Sequence, residues 1–232
     1  MLWYRYWLET RARVIFVVVW SMFFFGVGLY QAAIRPDAAP DLVTRAFLNQ
    51  TTFIAFLAAG MLAGSGVRTQ TFGRNYRGVH GSVHFTLSLP VSRSRLLLTR
   101  TALGFAETIV MVLFLSIAAW AFVGAARMQA GISDVILHAV FVAMAGAGVG
   151  GLAVLGSTVF DDTVQMWLVS GAIMVLFAFR AQLPRWLDFM GAVTEGSPLV
   201  ADAVAWPIVA GAMVAGGLCV LAATRVVAAQ EY

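Results

Sequence analysis

Long apolar runs separated by short polar stretches organise this chain. Residues 14–34, 46–67, 108–126, 135–160, 163–179 and 203–224 contain no Asp, Glu or Arg. A helix that crosses a bilayer needs about 20 mostly apolar residues, so the pattern predicts six membrane-spanning helices. The fifth run is the shortest and requires Arg180 to snorkel, or flanking residues to lengthen the helix. The third is expected to start earlier and take in Glu107. Residues 1–13 carry a pattern of their own: Leu2, Trp3, Tyr6 and Trp7 gather on one helical face, and Arg5, Glu9 and Arg13 on another. Trp and Tyr favour the headgroup level, so an amphipathic helix along the membrane surface fits. The plainer alternative is a basic flank that only orients the first span.

Composition agrees with the pattern. The chain is 61% hydrophobic and 11% charged, against roughly 25% charged in an ordinary soluble domain. A soluble fold of this length cannot hide so much apolar surface, so the expected class is all-α and polytopic, in one domain over 1–232. Its single cysteine, Cys219, excludes an intrachain disulfide or a Cys-based zinc site. All 15 basic residues are Arg, and without Lys a standard Walker A phosphate loop is impossible. Any ATP hydrolysis linked to this chain belongs to a separate subunit.

Charge orients the bundle. With the N-terminus in the cytoplasm, Arg5, Arg11, Arg13, Arg68, Arg74, Arg77, Arg93, Arg95, Arg100 and Arg225 lie inside. Only Arg35, Arg45, Arg127, Arg180 and Arg185 lie outside. This orientation satisfies the positive-inside rule and its opposite inverts it, so both termini are expected in the cytoplasm. The same distribution accounts for the net charge of +4 without nucleic acid. The run after Arg13 is longer than a signal-peptide core and has no clear small-x-small cleavage site, so it is read as a retained first span.

The basic stretch 68–100, between the second and third runs, departs from a plain solvated loop because it also carries Val83, Phe85, Leu87 and Leu89. Pro90 disfavours helix at the residue before it, and Ser92 can then cap a new helix running through Arg95 into the third span. Upstream, Val83/Leu87 and Phe85/Leu89 are i, i+4 pairs that also alternate in steps of two, so period does not separate helix from strand. Its short length and cytosolic side favour one or two helical turns. Such a piece can dock its apolar side chains in a partner's groove. Equally, those side chains can sink into the membrane interface.

The run Phe85-Thr86-Leu87-Ser88-Leu89-Pro90-Val91-Ser92-Arg93-Ser94-Arg95-Leu96 resembles the segment after the second span of ABC type-2 (ABC-2) transporter permeases. In that family a Leu-x-Ser-Leu-Pro-Val-Ser-Arg stretch precedes a basic, leucine-rich start to the third helix. The resemblance extends to an interfacial N-terminal helix, six spans with both ends inside, and an outer, partly re-entrant segment, here 180–202. It implies that 68–100 is a cytosolic coupling region contacting a separate ABC ATPase through Gly81, Val83, His84, Phe85, Leu87, Leu89, Pro90, Ser92, Arg93 and Arg95. It also implies that ATP and Mg bind on that partner while this chain holds no cofactor. Two bundles pair, either two copies or one copy with a related permease. Where the family often has an acidic residue upstream of the motif, this chain has Arg77 and His80.

The remaining polar residues define smaller expectations. His80 and His84 are spaced i, i+4, but nothing nearby completes a metal site, so they read as solvated residues of the docking piece. Glu107 is read with Arg100 as a structural or gating ion pair, because no further carboxylate continues a proton path. Asp161 and Asp162 form a short cytoplasmic turn, with Asp162 able to cap the fifth helix. His138 reads as a satisfied bundle residue. Gly146 and Gly150 in the fourth run, and Gly211, Ala215, Gly216 and Gly217 in the sixth, allow close helix approach. No catalytic residue is expected: Ser157 and His138 are too far apart on one span to meet, and no His-Glu-x-x-His is present. The expected function is the permease subunit of an ATP-driven exporter of amphipathic cargo, in a bacterial inner membrane. A non-transporting sensor or scaffold using the same loop is the alternative, ahead of an intramembrane enzyme.

Overall fold

The computed structural model describes residues 7, 11, 13–23, 26, 40–63, 92–124, 128, 130–160, 162–184, 188–201 and 204–229. Helix is the regular structure of these residues, with no strand among them. Helix α1 covers Arg13–Phe23, and α2 covers Pro40–Ala58 and runs on into a π-turn, Ala59–Ala63. Next come α3 (Arg93–Val123), α4 (Ile132–Gly156) and α5 (Asp162–Ala178). A 3-10 turn at Arg180–Gln182 and the short α6 (Phe189–Glu195) precede α7 (Trp206–Ala229).

Four helical stretches are long and apolar enough to cross a membrane: Asp41–Ala63, Ser94–Val123, Ile132–Gly156 and Trp206–Ala229. Arg13–Phe23 and Val164–Ala178 are shorter apolar helices. The chain is a multi-pass, all-α membrane protein. Its outward side chains agree: Val110, Phe114 and Phe122 on α3, Trp167 and Val175 on α5, and Val214, Leu218 and Leu221 on α7 are all exposed. A patchwork of that size suits lipid rather than water.

Several helix bounds differ from the apolar runs. Helix α2 begins at Pro40, six residues ahead of its run, because Pro suits the first helical turn and Asp41 sits favourably beside the positive helix end. Helix α3 begins at Arg93, well before Thr108, so Arg95, Arg100 and Glu107 are helical. Helix α4 stops at Gly156 rather than 160, and residues 157–160 turn. Helix α7 passes Arg225 to reach Ala229. A charge ends a hydrophobic run without ending a helix, since the backbone ladder is indifferent to it. The interfacial helix expected at 1–13, and the first span beyond Phe23, lie almost wholly outside the described residues.

Helix α2 is the hub. From Thr51 to Ala63 every residue is buried, as befits a segment that is apolar nearly all round. Helices α3, α4, α5 and α6 all pack on it, and α4 makes its most extensive contact with the peripheral α7. The connection between α3 and α4 is tightly held. Gly124 ends α3 at φ 88°, a conformation that favours glycine, and its N–H donates to Trp120 O at 2.9 Å. Trp120 Nε1 donates to Ala130 O at 3.0 Å, and Thr44 Oγ1 of α2 donates to Met128 O at 3.2 Å. These bonds bring the start of α2, the end of α3 and the start of α4 to one end of the bundle.

Candidate functional site

The docking residues expected from sequence divide at the start of α3. Gly81, Val83, His84, Phe85, Leu87, Leu89 and Pro90 lie outside the described residues, as do His80, Arg77 and most of the 68–100 region. Ser92 is described and does what its position requires. With φ −63° and ψ 142° it is extended, and its Oγ accepts from the Arg95 N–H at 3.3 Å. Helix α3 therefore starts at Arg93, directly after its Ser92 cap. Ser92 and Arg95 are exposed there. Arg100 turns inward and is buried, and Glu107 is half-buried. The two lie on α3 seven residues apart, about 10.5 Å along the axis and on nearly the same face. Helix α5 starts at Asp162 itself, and Asp161 is outside the described residues.

At the opposite end, a polar cluster links three helices. His138 of α4 is fully buried, with Nε2 2.6 Å from Thr51 Oγ1 of α2 and Nδ1 2.8 Å from Ser197 Oγ, just beyond α6. The Thr51 hydroxyl donates to Phe47 O at 2.9 Å and Leu48 O at 3.1 Å. One ring nitrogen donates and the other accepts, so Thr51 and Ser197 together satisfy the neutral imidazole. Ser197 Oγ also accepts the Leu199 N–H at 3.2 Å. Alongside, Thr194 donates to Met190 O at 2.8 Å and lies 3.5 Å from Thr52 Oγ1. Phe47 packs at a tilt on the imidazole, with centroids 5.7 Å apart.

A serine hydroxyl on an imidazole nitrogen is the first contact of nucleophilic catalysis. Here Ser197 and His138 are both at 0% exposure. The group that orients the ring is a threonine. The geometry serves packing: every polar atom of the ring is satisfied, as an apolar interior demands.

The same end carries an ion pair. Arg180 Nε lies 3.0 Å from Asp188 Oδ2, and Arg180 Nη1 donates to Asn49 Oδ1 of α2. Asp188 caps α6 by accepting the Gly191 N–H on Oδ1 at 2.7 Å. Arg180, whose snorkelling is one of two ways to complete the fifth span, ties the segment after α5 onto α2. Stacking of Phe189 on Phe56, with centroids 5.5 Å apart, completes the attachment of α6.

Elsewhere the helices meet backbone to backbone. A Cβ on Gly151 of α4 would collide with Gly216 of α7, and one on Gly216 would collide with the Ala147 carbonyl. A Cβ on Gly146 would lie 3.2 Å from Ala55 O, so the two small-residue runs read from sequence do bring helices together. Gly211 and Gly217 face open space. Among the described residues, no group of three or more His, Cys, Asp or Glu is placed to hold a metal. Comparison with protein-family models, with curated proteins and with solved structures finds no match to this chain.

Proposed function

We propose that this chain is the membrane-spanning subunit of an ATP-driven exporter of the ABC-2 kind. Its partner is a separate ATPase that binds ATP and Mg and docks on the cytoplasmic segment between α2 and α3. The observation that carries the reading is the Phe85–Leu96 stretch, with its Leu-Ser-Leu-Pro-Val-Ser-Arg core, in the connection between two long apolar helices. The start of α3 adds support: Ser92 caps it directly after Pro90-Val91, so the docking segment feeds a rigid helix of 31 residues. A push on that segment reaches the middle of the bundle along α3 and α2. Coupling requires contacts that differ between the two states of the ATPase, and a short apolar piece wedged in a groove supplies them.

On this reading both termini and the 64–91 segment are cytoplasmic, and α6 with the Arg180–Asp188 pair closes the outer end. A second bundle, identical or related, completes the transporter, and amphipathic cargo fits a path between two such bundles. The test is gentle extraction of the tagged chain from its native membrane and identification of what accompanies it. A stoichiometric ATPase is expected, lost in Phe85→Asp/Leu89→Asp while membrane insertion persists. Absence of an ATPase under conditions that preserve other such complexes, or its retention by the double variant, overturns the docking assignment.

A further inference from the structure

We infer that this chain dents the bilayer on one side: at the His138 end of the bundle, lipid headgroups and water reach about 6–9 Å deeper beside α5, α6 and the start of α7 than beside the ends of α3 and α4. The dent follows from helix lengths and charge placement and does not depend on the transport reading.

Cross-helix bonds fix the depth of each element. His138 of α4 meets Thr51 of α2, and Asn49, two residues nearer the start of α2, receives Arg180. Helix α4 begins at Ile132, about 9 Å of helix beyond His138, whereas Asn49 is only about 3 Å beyond Thr51. The Arg180 guanidinium is therefore held about 6 Å short of the end of α4. Depths taken from the opposite end agree. Gln165, three residues into α5, bonds Ala153, three residues before the last residue of α4, so Asp162 and Gly156 stand level. From that level α4 rises about 36 Å to Ile132, and the chain of α5 only about 27 Å to Arg180.

The surface at these depths differs between the two sides. The last turn of α3 and the first of α4 expose Phe122 at 70% and Ile132 at 43%, so hydrocarbon suits their full height. On α5 the exposed apolar stripe Trp167, Leu168, Val175, Leu176 stops at Phe179. The 3-10 turn Arg180–Gln182 follows with no buried residue, then exposed Pro184. Irregular backbone open to lipid does not occur inside the hydrocarbon layer. Glu195, the last residue of α6, is an exposed carboxylate. Its neighbour Thr194 lies 3.5 Å from Thr52, close to the depth of His138. Trp206 opens α7 deeper still, packed edge-on against Phe141 and 43% exposed, and Trp favours the headgroup level.

A span shorter than the bilayer is accommodated by snorkelling, by thinning of the lipid or by a protein neighbour. Snorkelling is closed to Arg180, because Asp188 and Asn49 hold its guanidinium. A rim of Glu195 with the part-exposed Arg180–Asp188 pair suits water and headgroups better than the apolar surface of another bundle.

Single cysteines in a Cys219→Ala background, with the full chain in lipid nanodiscs, test the dent. Glu195→Cys and Leu137→Cys sit at nearly one depth, and both native side chains are exposed. The thiol at 195 is expected to react with a membrane-impermeant maleimide about tenfold faster than the thiol at 137, because the reactive thiolate forms where water reaches. A bimane at 195 should be quenched by phosphatidylcholine spin-labelled on its headgroup, and a bimane at 137 by phosphatidylcholine labelled deep in its acyl chain. Equal reaction rates at the two positions overturn the dent. So does quenching at 195 by the deep label, which places hydrocarbon there, or by neither label, which places a second copy of the chain over this side.

Discussion

The two ends of this bundle are held by different physics. Around His138, α2, α4 and the segment after α6 are joined by side-chain hydrogen bonds, with the Arg180–Asp188 pair beside them. Along the α4–α7 contact, helices touch through glycine and alanine backbone, and around the π-turn glycine contacts stand beside the Gln165 amide that reaches Gly60 O and Ala153 O. Leaving lipid for protein gives an apolar side chain almost no gain, so membrane helices associate through close packing and hydrogen bonds. This chain weights the two differently along its length. The hydrogen-bonded end resists sliding, because each bond has one geometry. The glycine contacts allow sliding as long as the surfaces stay close.

The largest effect is expected from roughening the smooth contact. Gly151→Leu drives a side chain into the α7 backbone at Gly216, which cannot move aside as a side-chain tip can. Overpacking of this kind costs about 3 kcal/mol or more. Reversible unfolding in mixed micelles should show that loss, together with α7 becoming protease-sensitive. Gly211→Leu is the control: it faces open space and should change stability by less than about 0.5 kcal/mol. Equal losses in the two variants would mean that the α4–α7 approach contributes nothing.

Breaking the pinned end comes next. His138→Ala opens a cavity and removes one hydrogen bond each from Thr51 and Ser197, both buried. The expected loss is about 2–3 kcal/mol, most of it from the cavity. Thr51→Val retains shape and removes the one bond between helices that Thr51 makes, along with its bonds to the carbonyls of its own helix; it should cost about 0.6 kcal/mol, the usual size of such bonds between membrane helices. If the two variants lose the same amount, the cluster is not a linked network and the contrast between the ends weakens.

Much of this architecture is legible in the sequence, for reasons that can be traced. Apolar runs locate the helices because lipid demands them. Pro90 with Ser92 marks the start of α3 because both act on the local backbone, and the small residues of α4 announce a close contact. His138 is recognisable as a satisfied bundle residue, but its partners Ser197 and Thr51 are not: they are 59 and 87 residues away, and no local pattern encodes a meeting at that range. The π-turn is equally hidden, because Ala-Ala-Gly-Met-Leu-Ala departs from ordinary helix composition only at Gly60 and the widening depends on the helices around it. The Arg180–Asp188 pair is hidden too, because hydropathy weighs each residue by itself. Of the candidate docking site, only the capped helix start falls among the described residues, with the buried Arg100 and half-buried Glu107 of the expected gating pair further along α3.

The smallest effect separates two roles of one carboxylate. Asp188 both pairs with Arg180 and caps α6. Asp188→Asn retains an oxygen for the Gly191 N–H but gives up the ion pair. Both side chains are about one-fifth exposed, at 22% each, so solvent screens the pair and the loss should be about 0.5 kcal/mol. Asp188→Ala removes the cap as well and should cost about 1 kcal/mol more. Salt provides the second readout. Raising ionic strength should narrow the gap between Asp188→Asn and the unmodified protein, because charge alone distinguishes them. It should leave the gap between the Asn and Ala variants unchanged, because a neutral cap is insensitive to screening. A gap between Asn and Ala that closes with salt would instead make α6 a helix held by charge, and the pinned end would then depend on ionic conditions that the His138 network does not feel.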